Sequence, residues 1–282
     1  MPTLPPMTVP MPDAYAPAKV AERVRDTGVK KAIAPAATLL ALAVLAGAFI
    51  ALGALFYTVT ITSGLNQSSH FGLSRLAGGV AFSLGLILVV VGGAELFTGN
   101  NLMAMAWASG RVTGAQVLRN WGLVYLGNLA GAIGTVVLVL LAGIPQMSDG
   151  AVGETMIRIA RAKVSLDPVS ALARGVLCNV LVCLAVWLCM AARSVTDKIL
   201  AIVFPITAFV VCGFEHSVAN MFFLPLGIAL TASGSEPIAW MGAWVNLAVV
   251  TLGNVFGGTG LVALVYWFVY LRHGKQETEP SP

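Results

Sequence analysis

Charge is scarce in this chain. Asp, Glu, Lys and Arg make up 10% of its 282 residues against 58% hydrophobic residues, and the mean hydropathy is +0.88. A soluble domain carries about a quarter charged residues, so a soluble fold is excluded and a polytopic membrane protein is expected. Cysteine is scarce too. Cys178, Cys183, Cys189 and Cys212 all fall in apolar stretches, with no CxxC or zinc spacing, and read as small packing residues. The chain lacks a P-loop, a G-x-G-x-x-G after a strand and any His/Cys/Asp cluster. Nucleotide binding, ATP-driven transport by this chain alone, a metal site and other cofactors are therefore not expected. The first 32 residues are Pro-rich and charged without an apolar core, so no cleavable signal peptide is expected.

What the chain does have is long apolar runs. A hydrocarbon core of about 30 Å asks for about 20 apolar residues per helical crossing. Six runs qualify: about 34–58, 76–110, 117–143, 168–191, 199–231 and 241–271. The expectation is an all-α membrane protein of six transmembrane helices. The leader 1–33 is cytoplasmic, and Val20 and Val24 share a face there, which leaves open a short interfacial helix or a solvated basic segment. Residues 34–143 form one three-helix unit, 144–167 an external loop, 168–271 a second three-helix unit and 272–282 a cytoplasmic tail.

Lys and Arg set the orientation. With the N-terminus inside, Lys19, Arg23, Arg25, Lys30, Lys31, Arg111, Arg119, Arg193, Lys198, Arg272 and Lys275 are cytoplasmic, and Arg75, Arg158, Arg161, Lys163 and Arg174 are external. Eleven against five favours both termini in the cytoplasm. The formal charge of +4 largely reflects this bias and calls for no nucleic-acid partner.

Two of the runs are interrupted by near copies of one motif. GGAELFTGNN (92–101) and CGFEHSVANM (212–221) share Gly93, Glu95 and Asn100 against Gly213, Glu215 and Asn220. The copying extends further: Asn120, Gly127, Asn128 and Gly131 recur as Asn246, Gly253, Asn254 and Gly257 at identical spacing. Each half then has three crossings with the middle one broken, so the second half inserts upside down and the two breaks meet near mid-depth. Irregular backbone at that depth is tolerated only where protein buries it or it lines a cavity. The paired glycines outside the breaks read as helix-packing contacts.

Polar groups inside a membrane are costly and are functional suspects by default. His216 is the one histidine inside a run; His70 and His273 lie outside, and Leu96 occupies the equivalent position in the first motif. A lone histidine without a repeat partner suits a single central site, where it attracts, protonates or hydrogen-bonds an anion. Thr98 sits in the first break, where its hydroxyl is placed to face His216. Asn179 is an uncharged polar group in the fourth run. Glu95 and Glu215 read either as proton carriers or as caps for backbone N–H groups freed by the breaks. Phe82 and Leu86 precede the first break, and Phe209 precedes His216 by seven residues, two helical turns on one face. Bulky apolar residues there form constrictions or ordinary core.

The stretches GGAELFTGNN, GRVTGAQVLRNWGLVYLGNLAGA, CNVLVCLAVW with MAARSVTDK, GFEHSVANMFFLPLGI and LGNVFGG resemble the formate/nitrite transporter family over nearly all of residues 34–271. The resemblance implies an aquaporin-like six-helix protomer and a homopentamer in which each protomer has its own pore. It also implies permeation of small monovalent weak-acid anions: formate, nitrite, hydrosulfide, in some members acetate or lactate. Carried over by motif, the pathway and proton-relay residues are His216, Thr98 and Asn179, and Glu215 joins them from its place beside the histidine in the second break. The constrictions are Phe82, Leu86, Leu96, Phe97, Val182 and Phe209, and the external anion-attracting lysine is Lys163. Gly93, Glu95, Asn100, Gly213 and Asn220 shape the breaks. ELFTGN departs from the DLFTST pattern associated with enterobacterial formate channels, and its LFTG core is shared with nitrite members, so the substrate within the family stays open. The expected function is a formate channel, passive or proton-coupled, with nitrite as the closest alternative. From other classes, a neutral-solute pore such as a water or glycerol channel remains open, and a membrane-embedded enzyme is disfavoured because nothing positions a nucleophile.

Overall fold

A computed structural model describes residues 13–62, 71–232 and 236–272. His70, His273 and Lys275 lie outside the described residues, as do parts of the leader and tail. Every regular element among the described residues is helical: α1 (Pro17–Ile33), α2 (Ala36–Thr62), α3 (Phe71–Gly92), α4 (Phe97–Asn100), a 3-10 turn (Asn101–Met103), α5 (Ala104–Ala108), α6 (Gly114–Leu141), α7 (Ala151–Val164), α8 (Pro168–Ala191), α9 (Val195–Val211), α10 (Ser217–Thr231), α11 (Trp240–Val255), a π-helical stretch (Phe256–Leu264) and α12 (Val265–Tyr270). A 3-10 turn also spans Ile144–Gln146. Among the described residues, five helices are long and apolar enough to cross a membrane, the last running from Trp240 to Tyr270. The remaining run of 199–231 is divided between α9 and α10, and neither piece reaches that length alone.

The two halves pack alike. α2 lies against α6 and α3, α8 against α11 and α9, and α3 against α9 joins them. The paired glycines do serve close approach. A Cβ at Gly131 would strike the Val44 carbonyl oxygen, and one at Gly257 the Val176 carbonyl oxygen, so these helices touch backbone to backbone. Helix starts follow local chemistry: Thr113 and Ser194 form capping boxes with Gln116 and Asp197, and Asp167 caps α8. Hydrogen bonds from Ser170, its hydroxyl first and then its N–H, hold the Asp167 carboxyl below its ordinary value.

Two segments outside the long apolar runs are helical. The leader carries α1, and its apolar face is covered by protein: Val20, Ala21 and Val24 are buried with Leu102 and Met105, and Gly28 packs on Ala106. A fully solvated segment does not describe it, and Val20 and Val24 do lie on one face of a helix. The segment 144–167, expected as a loop, is mostly helical. α7 buries Val152, Met156 and Ala160 on one face and leaves Glu154, Arg158 and Arg161 exposed. Its apolar positions recur at helical spacing, but the segment is too charged to register as a crossing.

Candidate functional site

The site is built from the two breaks. α3 ends at Gly92 and α9 at Val211; Gly93 (φ 80°) and Gly213 (φ 70°) take the left-handed turn that ends a helix, which only glycine adopts at little cost. Ala94 N–H then bonds back to Val89 O and Phe214 N–H to Phe209 O. The chain runs extended to Leu96 and His216 and restarts as helix at Phe97 and Ser217. A buried asparagine from a neighbouring helix seats each restart. Asn128 Oδ1 accepts from Phe97 N–H and Asn254 Oδ1 from Ser217 N–H, both at 2.9 Å. The amide nitrogen of Asn128 donates to Ala43 O and Glu95 O, and that of Asn254 to Gly175 O and Glu215 O. The sequence reading saw these asparagines only as markers of the repeat; their identical spacing was the available signal for a shared task.

The carboxylates do not cap the broken helices. Glu95 Oε2 accepts from Lys31 Nζ at 2.9 Å and Asn100 Nδ2 at 2.7 Å, and Asn100 goes on to Asn120, whose amide reaches Lys31 O. Glu215 accepts from Lys163 Nζ at 3.0 Å on each oxygen and from Asn220 Nδ2 at 2.7 Å, and Asn220 goes on to Asn246, whose amide reaches Lys163 O. Each break thus carries a Lys–Glu–Asn–Asn ring. The freed N–H groups of Phe97, Ser217 and Ala219 go to asparagine and histidine side chains instead. Lys31 was missed as a site residue. Its signal was a lysine a few residues ahead of the proline at the start of the next helix, Lys31 before Pro35 as Lys163 before Pro168. Lys163, expected as an anion-attracting cation, is half of an ion pair with side-chain exposures of 12% and 7%.

Between the breaks, Thr98 Oγ1 lies 2.9 Å from His216 Nε2, and both residues are buried. Ala219 N–H donates to His216 Nδ1 at 3.1 Å, so the histidine side chain is also the N-cap of α10. That bond fixes the ring's proton. Nδ1 is an acceptor, so in the neutral ring the hydrogen sits on Nε2 and points to Thr98 Oγ1. The Thr98 hydroxyl hydrogen is then directed away from the histidine. A second proton on the ring would oppose Ala219 N–H, so forming the imidazolium in this place means breaking the cap.

Two cavities approach this contact. One of about 290 Å³ is lined by Val24, Lys31, Leu86, Glu95, Leu96 and Lys198 among others. The other, of about 190 Å³, is lined by Tyr57, Phe82, Lys163, Phe209, His216 and Phe223 among others. Leu86 and Leu96 belong to the first and Phe82 and Phe209 to the second. Phe82 and Phe209 meet edge to face with centroids 5.4 Å apart, and the His216 ring stacks on Phe209 at 6.0 Å. Phe209 and His216 do not share a helix face, because the break at Gly213 intervenes; the stacking is a tertiary contact. Phe97 packs on Trp121 and Tyr125 and Val182 is buried, and neither lines these two cavities. Asn179 ties the halves together, its amide nitrogen lying within hydrogen-bond range of Thr98 O, Asn101 Oδ1 and Asn254 O.

A sequence model described as formate/nitrite transporter matches residues 18–268. The chain belongs to the formate/nitrite transporter family. Relatives include the "Formate channel FocA" of Escherichia coli strain K12, 42% identical over 92% of this chain and 96% of the relative. FocA of Haemophilus influenzae is 39% identical over 81% of this chain and 85% of the relative. A solved "Pentameric formate channel with formate bound" superposes with TM-score 0.77 at 39% identity, covering 84% of this chain and 98% of that one. An "FNT family ion channel" gives TM-score 0.80 at 28% identity, covering 89% of this chain and 98% of that one. The formate/nitrite transporter assignment makes this an integral membrane transport protein with no catalytic activity indicated, and the Thr98–His216 contact lies within the matched region.

Proposed function

We propose that the chain conducts formate, with the Thr98–His216 contact as the point where the anion is recognised. The single observation that carries this reading is a buried hydroxyl–imidazole pair placed between two cavities and flanked by apolar side chains on both sides. Leu86 and Leu96 on one side and Phe82 and Phe209 on the other form the constrictions. A bare anion pays a large desolvation cost in such a passage. The Thr98 hydroxyl, directed away from His216, donates to the anion, and the N-termini of the restarted helices add favourable partial charge. Protonation of the ring at Nδ1, with release of Ala219 N–H, gives the counter-charge or the proton that lets the species pass as a neutral acid. Glu215 and Asn179 act by holding the breaks in register. Relatives named formate channels support formate over nitrite. Labelled formate and nitrite uptake into proteoliposomes, with and without a pH gradient, tests both points. Formate flux at least as large as nitrite flux, and raised by inward acid, is expected; flux of neither anion sinks the proposal.

Six crossings in two inverted halves, both termini cytoplasmic, in a homopentamer of the inner membrane complete the proposal. The matching Lys–Glu–Asn–Asn rings, one per break, support the inversion. Reporter fusions at residue 150 and after the last residue are expected to read opposite sides of the membrane, and the same side for both would overturn the inverted arrangement.

A further inference from the structure

Charge does not cancel around the second cavity. Its carboxylate, Glu215, is already held by Lys163 and Asn220. Arg75 and Arg174 line the same opening, and neither makes an ion pair among the described residues. Arg75 gives Nε and one Nη to Val211 O at 3.1 Å, and Arg174 gives one Nη to Gly213 O at 3.4 Å. Beside this opening lies an alcove of about 210 Å³, lined by Tyr57, Ser74, Arg75, Arg158, Ile159 and Ala162 among others. Tyr57, Arg75, Ile159 and Ala162 line both spaces, so the alcove adjoins the cavity that ends at His216.

Arg158 brings a second guanidinium, and its one hydrogen bond among the described residues is to Thr155 Oγ1 at 3.3 Å. A guanidinium carries five N–H donors in a fixed fork suited to carboxylates. The alcove therefore has two guanidiniums with donors left over, a phenol beside Arg75, and no carboxylate in its lining. Glu154, one turn before Arg158 on α7, forms no ion pair with it, whereas Arg161, one turn after, is paired with Glu236 at 3.2 Å. The first cavity has no such feature: it holds Lys31 paired with Glu95, Lys198, and no arginine in its lining.

We propose that the alcove bounded by Tyr57, Arg75 and Arg158 binds a small monocarboxylate and feeds it to the second cavity. The proposal rests on the reading of that cavity as an anion path. It makes entry from this side, external in the proposed orientation, more avid than entry from the other. The test is formate entry into right-side-out and inside-out membrane vesicles carrying the full chain, compared at equal protein abundance. Arg158→Gln is expected to raise the half-saturating formate concentration roughly tenfold, the worth of one charge-assisted hydrogen bond, in right-side-out vesicles only, with maximal flux unchanged. Arg158→Lys, which keeps the charge but not the fork, is expected to fall in between. Arg161→Gln removes the same charge outside the alcove and is expected to change nothing. Equal shifts in Arg158→Gln and Arg161→Gln would mean a diffuse field and no site, and no shift in either would overturn the proposal. Absence of formate flux in the unmodified chain would defeat the transport reading instead. The alcove is then judged by line broadening of ¹³C-formate on the purified full chain: broadening that Arg158→Gln abolishes sustains it, and broadening unaffected by the substitution or absent overturns it.

Discussion

His216→Asn loses most of the formate flux, about tenfold to a hundredfold, while the protein still folds and assembles. The reasoning starts from what the imidazole does on each nitrogen. Nδ1 caps α10 by accepting from Ala219 N–H, and asparagine is among the best N-cap residues, so the helix start survives. Nε2 is a different matter, since an asparagine in its place lacks the reach to meet Thr98 Oγ1 at 2.9 Å and keep the cap. The hydroxyl of Thr98 then loses its fixed direction, and one hydrogen bond to a charged permeant is worth roughly 1.5–3 kcal/mol, which sets the expected loss. Asparagine also takes no proton, so the dependence of flux on inward acid disappears with it. Thr98→Val is expected to reproduce the loss of flux, and Thr98→Ser to retain most of it. Formate flux and current across a bilayer at pH 5 and pH 7 measure both. Unchanged flux with unchanged acid dependence in His216→Asn would remove the histidine from the mechanism and favour a neutral-solute pore.

Glu215→Ala removes the assembled protein from the membrane. The pair with Lys163 is nearly buried, and stripping one partner leaves an ammonium in a place water does not reach well, at a cost of about 3–5 kcal/mol. The loss spreads, because Asn220 Nδ2 also gives up its 2.7 Å acceptor and the link to Asn246 loosens. Combining Lys163→Met with Glu215→Gln keeps an acceptor for Asn220 and leaves no unpaired charge. That double substitution is expected to recover most of the assembled protein that Glu215→Ala loses. Pentamer yield by size-exclusion chromatography and thermal midpoint of the purified protein give the comparison. If Glu215→Ala assembles normally but does not transport, the ring is a proton carrier and its structural assignment is wrong.

Apolar runs and near-absence of charge were enough to read a helical membrane protein, because a bilayer allows a chain of this composition few other solutions. The duplicated GGAELFTGNN and CGFEHSVANM located both breaks, since glycine, carboxylate and amide inside an apolar run have no cheap explanation. The Thr98–His216 contact was legible for the same reason: each is a polar group in one of the breaks, and the histidine has no repeat partner. What the sequence could not settle was who bonds to whom. Glu95 and Glu215 were read either as proton carriers or as caps for nearby backbone N–H groups, but their partners are lysines 64 and 52 residues earlier. The backbone donors went to Asn128 and Asn254, 31 and 37 residues beyond the N–H groups they hold. α7 passed for a loop because its burial depends on α10, which lies more than fifty residues later.

The division has one physical cause. Hydropathy and helix-breaking residues act locally, against solvent and lipid, so sequence alone determined the class of the protein and the positions of its two helix breaks. Hydrogen bonds and ion pairs depend on direction over a few tenths of an ångström. Only the packing of α1 and α6 on the first break, and of α7 and α11 on the second, decided that each carboxylate meets a lysine. The same packing placed an asparagine at each helix restart and turned the free edge of the Thr98 hydroxyl away from His216.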